Sequence, residues 1–233
     1  PAFMAAVTAW GLIHYLGWNS VLVTFGETVI VDLALLMGAV ATLLCFTLFL
    51  CTGMIYACIK MLQEWASPLT VINYTLLGGA SGFMLATTFA AWQGSGMTYF
   101  FAGWAFILTI LAFITRSASL IRNARLKPKS TLETAIGIRH ANIQQKAQGS
   151  MAGSFNTREY FHAASPRKYK SVKWAFLLLV FPLPLILLSI GLGAQFLSLL
   201  VVAFLVQYIG LLMERWFFFA QANHPQNLYY QTV

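Results

Sequence analysis

A helix needs roughly 20 predominantly apolar residues to cross a bilayer, and this sequence supplies six stretches of about that kind. They lie near Pro1–Leu16, Ile30–Leu62, Thr70–Trp92, Thr98–Leu120, Val172–Gly193 and Gln195–Phe219. With 59% hydrophobic and only 9% charged residues, the chain lacks the charged surface that a soluble fold requires. The expected fold is therefore all-α: a polytopic transmembrane helix bundle of about six spans, forming a single membrane domain over residues 1–233. The first stretch is short and begins at Pro1 without a methionine. No signal-peptide pattern is present, and the natural N-terminus, with one or more spans, is expected to lie upstream.

Positive charge is placed very unevenly. Of 14 Lys and Arg, all but Lys60 and Arg215 fall between Arg116 and Lys173. The net charge of +8 is explained by retention of basic loops in the cytoplasm rather than by nucleic acid. A basic cytoplasmic loop at 121–172 sets the other loops by alternation. Gln63–Pro68 and the tail from Gln221 are then inside, while Gly17–Thr28, Gln93–Met97 and Gly191–Ala194 are outside. Trp18 and Trp92 fall near the outer interface, and Trp65, Trp174 and Trp216 near the inner one, as an aromatic belt requires.

Gly78-x-x-x-Gly82, with Gly79 and Ser81, gives the third span a small-residue face for close helix packing. Pro182 and Pro184 should kink the fifth span, and the carbonyls they free need partners inside the bundle. Cys45, Cys51 and Cys58 fall in one span and read as small packing residues. In the basic loop, Ser130-Thr-Leu-Glu133 is a capping-box pattern. The apolar residues Leu132, Ala135, Ile136 and Ile143 then extend an amphipathic helix over Thr131–Gln148. Its stripe suits lipid headgroups, the protein's own spans or another polypeptide. A Gly/Ser-rich break at 149–154 follows, and Asn156-Thr-Arg-Glu159 repeats the cap-like pattern.

Several chemistries find no support. No Cys/His cluster suggests a metal site, and only His14 lies within a span, so haem held by two intramembrane histidines is not expected. Transporters and pumps keep costly charged groups deep in the bilayer, and none stands near the middle of these spans. No Ser/His/Asp arrangement, P-loop or dinucleotide fingerprint appears, and no catalytic residue is assigned. What remains is a cytoplasmic rim rich in polar and aromatic groups. A quinone site needs an apolar slot with donors or acid–base groups at the two carbonyls. Lys60, Glu64, Trp65, Tyr74, Glu214, Arg215 and Trp216 are candidates for it, although interfacial anchoring accounts for any one of them singly.

Gln63-Glu-Trp-Ala-Ser-Pro-Leu-Thr70 before a Gly/Ala/Ser-rich span resembles the membrane anchor subunit of dimethyl sulfoxide reductase-type enzymes. So do Lys127-Pro-Lys-Ser-Thr-Leu-Glu-Thr-Ala-Ile-Gly-Ile138, Gly153-Ser-Phe-Asn-Thr-Arg-Glu-Tyr-Phe161 and Glu214-Arg-Trp-Phe-Phe-Phe219. The resemblance covers nearly the whole chain and implies an eight-span bundle of the bacterial inner membrane. It also implies an iron–sulfur subunit and a molybdopterin catalytic subunit as partners, with quinone, either menaquinone or ubiquinone, as the mobile electron carrier. Nothing would be bound covalently to this chain. By the same resemblance Pro1 falls within the family's third span, and the family's upstream quinol-associated His and Glu precede this stretch.

The family's best-known anchors carry their catalytic subunits on the periplasmic side, whereas the basic loops here point the partner-facing side to the cytoplasm. That resembles the branch anchoring cytoplasm-facing sulfite dehydrogenase. The implied function is passage of electrons between an iron–sulfur subunit and the quinone pool during sulfite oxidation. Arg139, His140, Arg158 and Tyr160 are candidates for docking the iron–sulfur subunit. Anchoring a quinol-oxidising reductase, transport, and a purely structural assembly role are the alternatives.

Overall fold

A computed structural model describes residues 1–25, 29–127, 129, 131–144 and 165–223. The chain divides into two compact units, Pro1–Met54 and Ile55–Val233. In the first, α1 (Ala2–Leu16) ends on Gly17, whose positive φ of 68° lets the Gly17 and Trp18 amides turn back onto the His14 and Ile13 carbonyls. An antiparallel hairpin, β1 (Val21–Phe25) and β2 (Val29–Asp32), follows. Its β-branched residues favour strand, so the residues from Ile30 to Asp32, expected to begin a span, belong to β2 instead.

Asp32 then opens α2 (Leu33–Ala57), accepting from the Leu35 amide at 2.7 Å and from Asn19 Nδ2 at 2.8 Å. Those hydrogen bonds hold its carboxyl below the ordinary value. Asn19 completes the cap by accepting from the Ala34 amide.

The second unit contains α3 (Pro68–Trp92), α4 (Thr98–Ala124), α5 (Leu132–Ile136), α6 (Pro166–Val180), α7 (Pro182–Gly193) and α8 (Leu197–Ala220). Ser67 caps α3 by accepting from the Leu69 amide, and Pro68 takes the first-turn position that needs no donor. Five helices among the described residues are long and apolar enough to cross a membrane: α2, α3, α4, the α6–α7 pair and α8. At 1.5 Å per residue, the 25 residues of α3 extend roughly 37 Å, against a hydrocarbon core of about 30 Å. The 15 residues of α1 reach only about 22 Å.

The α3–α4 hairpin packs along α8, and α8 packs along α6 and α7. One core, around Leu77, Ala112, Phe176, Val180 and Phe217, lies toward the end where α4 and α8 finish and α6 begins. We call this the basic end. A second core, around Met84, Ala105, Leu188 and Ala203, lies toward the other end.

The fifth span breaks as its prolines demand. α6 stops at Val180, Phe181 departs from helical geometry (φ −109°, ψ −79°), and α7 resumes at Pro182. Pro184 has no amide to give the Val180 carbonyl four residues earlier. Gln207 of α8 gives one instead, its Nε2 lying 3.3 Å from that oxygen and 3.3 Å from Thr109 Oγ1 of α4. One buried amide thus joins three spans at the break.

Other expectations need correction. Gly82 is exposed, with open space where a Cβ would stand. Gly79 of the same face does meet α4, an added Cβ there lying 3.2 Å from Leu108 Cδ1, and a closer helix approach is at Gly210, where an added Cβ would lie 2.8 Å from the Leu179 carbonyl carbon. In the basic segment Thr131, not Ser130, is the N-cap, and Thr134, not Glu133, closes the box. The helix runs only to Ile136, because Gly137 (φ 72°) caps it in the left-handed region. The glycine-rich break at 149–154 and the Asn156–Glu159 pattern lie outside the described residues. Cys51 and Cys58 are exposed rather than packed, and Cys58 falls beyond the end of α2. Trp92 and Trp174 are exposed as belt residues should be, whereas Trp65 is only 4% exposed and belongs to the interior.

Candidate functional site

Arg116 counts by sequence as one more charge of the basic stretch. In the fold it sits within α4, eight residues before the helix ends, and its residue surface is 1% exposed. A guanidinium at such depth requires a partner. It finds Glu214 of α8, Nη2 to Oε1 at 2.8 Å. The other carboxylate oxygen of Glu214 accepts from Arg215 Nε at 2.6 Å and also faces Arg215 Nη2. Glu214 is fully buried, while the Arg215 side chain is 28% exposed. One carboxylate therefore serves two guanidinium groups, and the cluster carries a net charge of +1.

Aromatic rings enclose the cluster. The Arg215 guanidinium lies over the Tyr74 ring of α3 at 4.2 Å and over Phe218 at 5.0 Å, positions in which the ring faces attract the cation. Arg116 lies over Phe176 of α6 at 5.7 Å. Tyr56 stacks on Tyr74, and Trp65 stacks on Phe218 with an interplanar angle of 7°. The connector carrying Trp65 is pinned because its indole N–H donates to the Phe218 carbonyl at 3.0 Å. The Trp65 carbonyl in turn accepts from Thr70 Oγ1. Beside the triad, Thr115 donates to Asn73 Oδ1 at 2.8 Å, joining α4 to α3.

At the mouth of this region, Arg122 donates to the Gln63 and Ala66 carbonyls, and Asn123 donates to that of Glu64. These bonds tie the 58–67 connector to the end of α4. They leave the Glu64 carboxyl half-buried, and burial raises its pKa. The amides of Glu64 and Asn223 and the Arg122 charge oppose that rise without cancelling it. Two donors of the triad, Arg116 Nε and Arg215 Nη1, are buried with no hydrogen-bond partner among the described residues. The arrangement offers buried cationic groups, a carboxyl that burial holds above its ordinary value, and apolar walls.

Of the rim candidates, Glu64, Trp65, Tyr74, Glu214 and Arg215 come together here. Trp216 packs on the neighbouring core with Leu77 and Phe217, and Lys60 is exposed near the start of the connector. Arg139 and His140 are exposed after α5, where His140 Nδ1 accepts from the Asn142 amide. Arg158 and Tyr160 lie outside the described residues. Among the described residues no His, Cys, Asp or Glu group of three is placed to hold a metal ion. His14 packs edge-on against Trp10.

The residue that sequence reasoning passes over is Arg116. Its only local signal is an Arg in the last third of an otherwise uncharged span.

Over its full 233 residues the chain is 50% identical to the C subunit of sulfite dehydrogenase from Allochromatium vinosum (strain ATCC 17899 / DSM 180 / NBRC 103801 / NCIMB 10441 / D), covering 72% of that protein. No family model matches the sequence, and no solved structure matches it.

Proposed function

This chain belongs to the family of the sulfite dehydrogenase C subunit, and from that premise we propose that it is the quinone-reactive membrane component of a sulfite-oxidising complex. Electrons arrive from an iron–sulfur subunit, which receives them from a molybdopterin subunit where sulfite is oxidised. They leave on quinone at the basic end. That end faces the cytoplasm of a bacterial inner membrane, as the positive-inside rule predicts for twelve of fourteen Lys and Arg. The resemblance to dimethyl sulfoxide reductase-type anchors belongs to the same reading. Arg139, His140, Arg158 and Tyr160 remain the candidates for the docking surface.

The observation that carries the quinone assignment is the buried triad of Arg116, Glu214 and Arg215. Reduction places negative charge on a carbonyl oxygen, and a fixed guanidinium in a low-dielectric site stabilises charge that develops there. Arg215 is the member that reaches the surface, its side chain being 28% exposed. Tyr74 holds its guanidinium plane from the far face. Glu64 supplies a proton, its neutral form being favoured by burial. Glu214 orients both arginines and is not itself the proton source.

The test uses the purified complex with two acceptors, a soluble quinone and an artificial dye reduced by the partner subunits. Arg215→Gln and Glu64→Gln are expected to lower sulfite-dependent quinone reduction at least tenfold and leave dye reduction unchanged. Wild-type quinone reduction in both variants overturns the assignment.

A further inference from the structure

Away from the triad, an apolar groove of about 680 Å³ lies between α4 and the α6–α7 span. Its floor runs from Thr109 and Leu185, beside the helix break, to Ile121 and Ala124 at the basic end. Fifteen steps along α4 at 1.5 Å each give roughly 22 Å, more than the ~15 Å of one leaflet's hydrocarbon. The upper end of the groove is bounded by Lys173 and Trp174. Trp174 also borders a second, polar recess formed with Arg167, Lys170 and Ser171. The two recesses meet at Trp174, the apolar one along α4 and the other flanked by Arg167 and Lys170.

We propose that this groove is a binding site for an anionic phospholipid, with an acyl chain along α4 and the phosphate held by Arg167, Lys170 and Lys173. The argument is charge complementarity. Arg167, Lys170 and Lys173 of one helix line the two recesses, and no Asp or Glu among the described residues lines either. The ion pairs among the described residues involve only Arg116, Arg215 and Glu214. Basic residues at a span end attract anionic headgroups, and Ser171 adds a hydroxyl donor at the phosphate. Trp174, 70% exposed, is placed where the chain leaves the headgroup, the level that indole rings favour. A zwitterionic lipid would fill the groove equally well but would bring its own cation to these basic residues. This site is separate from the quinone assignment, because none of the triad residues lines either recess.

The test counts lipids retained by the whole complex after mild solubilisation, by native mass spectrometry and by extraction. Delipidated complex is then titrated with phosphatidylglycerol or phosphatidylcholine in mixed micelles. The expected result is at least one retained anionic phospholipid and selective rebinding of phosphatidylglycerol. Arg167→Gln/Lys170→Gln/Lys173→Gln should weaken rebinding at least tenfold. Ala124→Trp, which plugs the groove and leaves the cations in place, should abolish it. Equal rebinding of the two lipids, retention unaffected by either variant, or quinone recovered in place of the phospholipid would each overturn the proposal.

Discussion

Arg116 and Glu214 meet 2.8 Å apart across the α4–α8 interface, with side chains only 2% and 0% exposed. Neither charge would persist there alone, because a buried ion without its counter-ion costs several kcal/mol. Glu214 is also shared with Arg215, so removing its charge strands two guanidinium groups at once. A purely structural ion pair is replaceable by apolar residues of similar volume, often at little cost. A site that uses the charge is not, and this difference separates the two roles.

Glu214→Gln is accordingly expected to destabilise the complex by about 3–5 kcal/mol. The triple variant Arg116→Met/Glu214→Leu/Arg215→Met, which leaves no guanidinium without its counter-ion, should recover most of that stability. Thermal unfolding of the purified complex reads the stability, and sulfite–quinone turnover reads the function. Recovered stability with quinone reduction still lost supports the functional reading. Recovery of both would reduce the pair to a structural clasp.

The Gln207–Val180 bond makes a second prediction. Gln207→Leu leaves the Val180 carbonyl unpaired inside the bundle, at a cost of about 1–3 kcal/mol. Pro184→Ala returns an amide four residues beyond Val180, able to make the ordinary helical bond. The double variant should therefore unfold at a higher temperature than Gln207→Leu alone. Additive losses would show that Gln207 does not substitute for the missing amide.

Helix packing gives a third. At Gly210 a methyl group would lie 2.8–2.9 Å from Leu179 and Val180 atoms, including backbone that cannot rotate away, while at Gly82 it meets open space. Gly210→Ala should cost about 1–3 kcal/mol by overpacking. Gly82→Ala should stay within about 0.5 kcal/mol of the parent. Comparable melting temperatures for the two variants would refute the assignment of the close contact.

What the sequence discloses follows from which interactions are local. The spans are legible because length and apolarity are properties of a single segment. The break at Phe181 is legible because Pro182 and Pro184 announce it. Gly137 also announces the end of α5, but the apolar stripe continuing to Ile143 masks that signal. Arg116 is not legible. Its burial is decided by a carboxylate 98 positions later, and a count of charges by sign assigns it to the loop. The close approach at Gly210 depends likewise on how α6 meets α8, whereas in the small-residue stretch of α3 Gly79 meets Leu108 and Gly82 meets open space.

Orientation is open to direct labelling. Cys58 is exposed in the connector at the basic end, and Ser95 is exposed in the turn at the other end. In a background lacking other cysteines, a membrane-impermeant maleimide should label Cys58 only in inside-out vesicles. Ser95→Cys should be labelled only in right-side-out ones. The reverse pattern would move the basic end, and the docking surface with it, to the periplasm.

Glu64 links the site to pH. Burial raises its pKa above the ordinary 4.5, so the folded state holds the proton more tightly than the unfolded chain does. Stability from this group is then full below pH 4.5. It falls as pH rises from there through the raised folded pKa, and is level above it. Glu64→Gln removes that slope, so the difference in stability between variant and parent should grow across this window in the variant's favour. Quinone reduction should fall over the same window. The parent loses activity as Glu64 ionises, while the variant is slow and indifferent to pH over the same range. A parent profile that is flat there would show that the proton comes from elsewhere. A pH-dependent rate surviving in Glu64→Gln would show the same.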